Sequence, residues 1–165
     1  MFYTIRKTLT GIVLTLFLPL ACGGDTEGEL ASNTPLTASE EFRVLESGTQ
    51  SQYKSKSTLI FTSSFDWEAH YRNHIGNDSS LPTALKVDFT SEYLIAIHIG
   101  EKINPSYSIS VSSVGYDSTD NTVQVRYKEN VDDIGVYPQV IAYPFTFVKV
   151  HRSDLEFRFI DISTL

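Results

Sequence analysis

The chain has 165 residues, a formal net charge of −7 at neutral pH and an isoelectric point near 5.0, with 20 acidic against 13 basic side chains. Nucleic-acid binding leaves a basic patch or stripe as its footprint, and this acidic chain carries none, so nucleic acid is a poor partner. The single cysteine excludes a disulfide within the chain, and 41% hydrophobic residues suffice for one domain-sized core.

Arg6 and Lys7 precede an apolar run from Leu9 to Leu20 that ends Leu-Pro-Leu-Ala-Cys at Cys22. About 12 apolar residues fall short of the roughly 20 that a spanning helix needs, so the pattern is that of a secretory signal ending in a cysteine. With Ala21 before Cys22 it resembles a bacterial lipoprotein signal. That resemblance implies removal of residues 1–21, acylation of Cys22 and anchoring in the cell envelope through the acyl chains. Pro19 stands where such signals usually have an aliphatic residue. Gly23 in place of an aspartate favours, by the same analogy, the outer over the inner membrane of a didermic bacterium. Without Arg6 and Lys7 the net charge is about −9, which keeps a domain off anionic lipid. Residues 22–39 carry no aromatic side chain and have the composition of a flexible tether, with a root-mean-square span on the order of 23 Å.

Residues 40–165 are the size of one domain. Phe42 and Val44 alternate with polar residues in a short first strand, and Ser57–Ser63 makes a second. A serine at 63 or 64 is then the N-cap of a helix with Asp66 in its first turn, and Gly76 ends it. Trp67, Tyr71, His74 and Ile75 share one face of that helix, and Glu68 and Arg72 can pair at its side. After a loop from Gly76 to Ala84, Val87 and Phe89 start a short strand. Tyr93–Gly100 is the central strand, with Tyr93, Ile95, Ile97 and Ile99 on one side and Leu94, Ala96 and His98 on the other. Both sides call for cover, as in a strand between two layers.

Asn104-Pro105 marks a turn, after which Tyr107, Ile109 and Val111 alternate with serines. The phase slips to Val114 and Tyr116, which predicts a bulge near Ser112-Ser113. Asp117–Asn121 turns the chain into a return strand with Val123, Val125 and Tyr127 inward. Glu129–Pro144 is irregular, yet richer in aliphatic and aromatic residues than a solvated loop requires, and is expected to pack on something. Two last strands follow, separated by a turn at Ser153-Asp154. The fold class is mainly β with one helix: an antiparallel sheet of seven or eight strands, curled into a sandwich-like or half-barrel arrangement under a single covering helix.

The segments VDFTSEYLIAIHIGEK, YSISVSSV, TVQVRYKE and QVIAYPFTFVKVHR, in that order, resemble the C-terminal domain of PrcB-like proteins, named after a lipoprotein subunit of a bacterial surface protease complex. FDWEAHYRNH is similar to the aromatic helix those proteins carry upstream. The resemblance spans roughly residues 57–160 and implies a non-catalytic accessory subunit that binds or stabilises another envelope protein, such as an exported protease. Pro105 and Ser106 stand where the family tends to have two glycines.

No catalytic signature stands out, and nothing in the residues calls for a cofactor. His70 and His74 have the helical spacing of two metal ligands, with no third ligand at a motif spacing, although His98 or His151 could approach in three dimensions. Asp117–Asn121 lacks the glycine and closing glutamate of a calcium loop. Glu129, Asp132 and Asp133 form a carboxylate cluster that would need a pocket to do acid–base work. Aromatic residues on irregular segments are common binding anchors, which singles out Tyr107, Tyr137, Tyr143 and Pro144, with Asn104 beside them, as a partner-binding set. The expected role is therefore protein binding by a lipid-anchored envelope protein. The alternatives are a small-molecule module with a pocket beneath the helix, or a metal-assisted hydrolase using His70 and His74.

Overall fold

The computed structural model describes residues 38–76 and 84–163. The signal segment, Cys22, most of the tether and the middle of the loop after Gly76 lie outside the described residues. Among the described residues no helix is long and apolar enough to cross a membrane.

Among the described residues, eight strands and one helix follow in the order β1 (Ala38–Ser39), β2 (Phe42–Gly48), β3 (Lys56–Phe61), α1 (Ser64–Ile75), β4 (Glu92–Ile99), β5 (Tyr107–Asp117), β6 (Thr122–Val131), β7 (Phe145–His151) and β8 (Glu156–Asp161). The described residues are mainly β with one helix, as their alternating patterns predict. The expected single curled sheet is not found. The strands divide into two four-stranded sheets, ordered β2-β7-β4-β3 and β1-β5-β6-β8. The chain passes from one sheet to the other after β1, β4, β6 and β7, and the last of these crossings departs from the expected hairpin. Ser153-Asp154 does not fold β8 back beside β7; the chain crosses to the second sheet, where β8 runs parallel to β6. Both edges of β7 are already paired, with β2 and β4, so β8 has no place beside it, and Phe157 and Phe159, alternate residues of β8, pack against the core between the sheets.

The central strand explains the layering. Its side chains at 95, 97 and 99 point to the second sheet and join Val148 and Val150 of β7 against Ile109, Val114, Val123 and Val125. Those at 94, 96 and 98 point the other way, where Leu94 and Ala96 meet Phe145 and Phe147 of β7 and Trp67 and Tyr71 of α1. One sheet thus has a core on each face, and each fully buried large side chain contributes about 1.5–3 kcal/mol to it.

Local signals place α1. Ser63 is the N-cap, its Oγ accepting from the Asp66 N–H at 3.2 Å, and Gly76 ends the helix at φ 81°. Trp67, His70, Tyr71 and His74 are its buried residues, while Glu68 and Arg72 are exposed. The expected bulge in β5 falls between Val111 and Ser113. A second, between Val44 and Glu46, breaks the alternation read for β2, leaving Val44 exposed while Leu45 packs under the helix. Val87 and Phe89 form no strand. The chain turns there around Asp88, whose carboxylate accepts from the Thr90 N–H and whose carbonyl accepts from the Glu92 N–H. Ala38 and Ser39, read as tether, pair with Tyr116 and Gly115, so order begins slightly earlier than the composition suggests.

Candidate functional site

The loops that leave β4, enter β5, leave β6 and enter β7 converge at one end of the two sheets. Lys102 and Ala142 exchange two backbone hydrogen bonds of 2.8 and 3.0 Å, and the Asp132 N–H donates to the Ser106 carbonyl at 3.0 Å. Gly100 permits the first turn. It has φ 77°, and a Cβ there would stand 3.0 Å from the Lys54 carbonyl oxygen. Side chains add to the tie: Lys102 binds Glu129 of β6 at 2.6 Å and lies over the Tyr107 ring at 5.0 Å.

Onto this frame the chain places its exposed apolar residues. Of eight large hydrophobic side chains that are exposed among the described residues, six lie here: Ile103, Val131, Ile134, Val136, Val140 and Ile141. Ile134 is 97% and Val136 102% exposed, so the stretch expected to pack on something does so only at its end, where Ala142 and Pro144 are buried, and its other aliphatic side chains are left exposed by the described residues. An exposed apolar cluster with a polar rim is the informative departure from the usual partition of residues. Its rim is acidic, with Glu101, Asp132 and Asp133 all exposed.

The five residues singled out from the sequence are brought to this end but divide in role. Tyr137 is half-buried and donates its hydroxyl to Asp132, which holds that carboxyl below its usual range and pushes the phenol up. Tyr143 donates to Glu101 at 3.2 Å. Asn104 accepts from the Ser106 N–H at 3.0 Å and so shapes the turn. Tyr107 packs against the core between the sheets. Pro144 is buried, and its carbonyl accepts from the Ile99 N–H at 3.2 Å, so it anchors the loop and offers no contact surface. The aliphatic residues between the tyrosines were not singled out, although their excess in an irregular stretch was the available signal.

Beneath α1 lies a second unusual group. His70 and His74 of the helix meet His98 of β4 and Ser51, all buried. His70 Nε2 is 3.2 Å from His98 Nε2, and Ser51 Oγ is 3.4 Å from His98 Nδ1 and 2.9 Å from His74 Nδ1. Burial pushes His70 and His74 down to about 4 and His98 down to about 3. His98 thus does approach the helix pair, while His151 is exposed at the end of β7. The rings address one another and Ser51, and among the described residues no group of three or more His, Cys, Asp or Glu is arranged to hold a metal ion. Ser51 at 4% exposure gives no substrate a path to its hydroxyl. The space under the helix that a small-molecule module would need is filled by Trp67, Phe147 and His74, each below 2% exposed. A cleft of about 210 Å³ lies elsewhere, lined by Glu41, Arg43, Glu92, Lys149 and His151 among others. Of the carboxylate cluster, Glu129 is engaged by Lys56 and Lys102 and Asp132 by Tyr137.

Comparison with protein-family models, curated proteins and solved structures finds no match for this chain. The assignment of a role therefore rests on the geometry described above and on the residue patterns of the sequence.

Proposed function

We propose that this protein is a non-catalytic binding subunit of the bacterial cell envelope, tethered through acylated Cys22, and that it holds a folded exported protein against the loop end of its sandwich. The observation that carries the reading is the concentration of six exposed apolar side chains on two cross-braced loops and the adjoining end of β6. Such a patch, desolvated by a partner, supplies the apolar centre of an interface, and its fixed frame lowers the ordering cost of binding. The acidic rim of Glu101, Asp132 and Asp133 fits a partner whose contact face is basic around an apolar centre. An exported protease or its assembly is the partner class to which the PrcB-like resemblance points.

The test uses the full-length protein in its own cells, with a photo-crosslinking amino acid at Val136 or Ile141, or at Thr119 in the β5–β6 turn at the opposite end of the sheets. The expected result is one discrete exported protein crosslinked from Val136 and Ile141 and not from Thr119. Equal crosslinking from all three positions, or none from Val136, would overturn the reading. Labelling with a radioactive fatty acid, lost in Cys22→Ser, tests the anchor separately.

A further inference from the structure

Three of the chain's four histidines share the site between α1 and the sheet, and none is exposed beyond 6%. They form one path of contacts, from His70 to His98, from His98 to Ser51 and from Ser51 to His74, with the Tyr53 N–H donating to Ser51 Oγ at 3.1 Å. The His70–His98 contact joins two ring nitrogens, and one of them must be bare to accept, so the two rings cannot both be charged while it lasts.

Among the described residues, the contacts around the cluster are with aromatic rings. From the segment before β3 the Tyr53 ring stacks on His70 and His98 at 4.5 and 4.4 Å, and from β3 Phe61 lies 4.7 Å from His70. From β7 the edges of Phe145 and Phe147 meet His74 at 4.2 and 4.8 Å. The carboxylate that β2 brings in, Glu46, meets the Tyr71 hydroxyl at 3.4 Å and not an imidazole. The core between the sheets is different: its buried members are aliphatic apart from Tyr127, and the three clustered histidines lie on the other face of the β2-β7-β4-β3 sheet.

We infer that α1 is an acid-released cover: in a mildly acidic medium the imidazole cluster takes up protons, the helix leaves the sheet, and the aliphatic core between the sheets persists. Free imidazole titrates near 6.5, while burial lowers His70, His74 and His98 to about 4, 4 and 3, with the neighbouring rings adding to the shift for His70 and His98. The open state therefore binds more protons, and closure weakens as the pH falls below about 6.5, down to about 4 for the helix pair and about 3 for His98. At pH 5 each histidine shifts the balance toward the open state by roughly 30-fold. Glu46 acts in the opposite sense, because burial raises its carboxyl, but it is one group against three. Release would bare Phe145, Phe147 and Trp67, a surface distinct from the loop end.

Trp67, the only tryptophan, sits on the moving helix at 1% exposure and reports the event directly. The experiment follows its fluorescence in the full-length chain from pH 7.5 to 3.5, beside hydrogen exchange of the β5 and β6 amides. The expected result is a red shift of Trp67 beginning below pH 6 while β5 and β6 stay protected. His70→Gln with His74→Gln should move that transition to lower pH and reduce the protons taken up, whereas His151→Gln leaves it in place. If the double variant does not fold, ring titration of the native protein by NMR decides, with His70, His74 and His98 all titrating below pH 5 as the expected pattern. Loss of Trp67 burial and β5–β6 protection together, or a transition that ignores the histidines, would overturn the inference.

Discussion

Two regions of this molecule depart from the usual division of residues, in opposite directions. Under α1, polar rings are buried where aliphatic side chains would serve; at the loop end, aliphatic side chains stand in solvent where polar ones would serve. The first departure is internally satisfied, each imidazole finding a ring or a hydroxyl, so its consequences appear in stability and in its dependence on pH. The second is left uncovered by the described residues, so its consequences are expected only when something else covers it.

That contrast can be broken most forcefully beneath the helix. Trp67→Ala removes the anchor of α1 and the indole N–H bond to the Leu85 carbonyl at 2.9 Å, and should cost about 3–5 kcal/mol by chemical denaturation. If the two cores are as separate as their side chains suggest, exchange protection in β5 and β6 should survive in this variant. Ser51→Ala leaves His74 and His98 without their shared hydroxyl, with an expected cost of about 1–3 kcal/mol at pH 7.5. At the other end the effects on folding shrink. Lys102→Ala, which loses the Glu129 ion pair and the Tyr107 ring, should cost about 1 kcal/mol, part of it removable by salt. Ile134→Ser with Val136→Ser should leave stability within about 0.5 kcal/mol, since neither side chain touches the core.

How much of this could be read beforehand follows from where each signal lies along the chain. Period-two alternation placed β4, β5 and β6, and the slip from Val111 to Val114 announced the bulge, because a one-residue shift changes which face a side chain takes. The serine cap and Gly76 bounded the helix for equally local reasons. The sheet division was not legible, since Ser153-Asp154 signals a turn and says nothing about which sheet receives the next strand. The imidazole cluster was half legible: His70 and His74 share a helix face, and His98 lies on the side of β4 that the helix covers, but Ser51 joins them through a loop whose path no pattern encodes. At the loop end the tyrosines drew attention first, whereas the frame turns two of them back onto carboxylates and leaves Ile134 and Val136 outside.

The most direct test of the account compares affinity with stability in the same variant. With the crosslinked partner purified, its dissociation constant for the native protein and for Ile134→Ser, Val136→Ser would be measured at pH 7.5, beside their denaturation midpoints. The account predicts unchanged midpoints and affinity weakened at least about 10-fold, the loss of well over 1 kcal/mol that follows when central apolar contacts are removed. Unchanged affinity with unchanged stability would contradict it, because the exposed aliphatic residues would then serve neither the fold nor a partner.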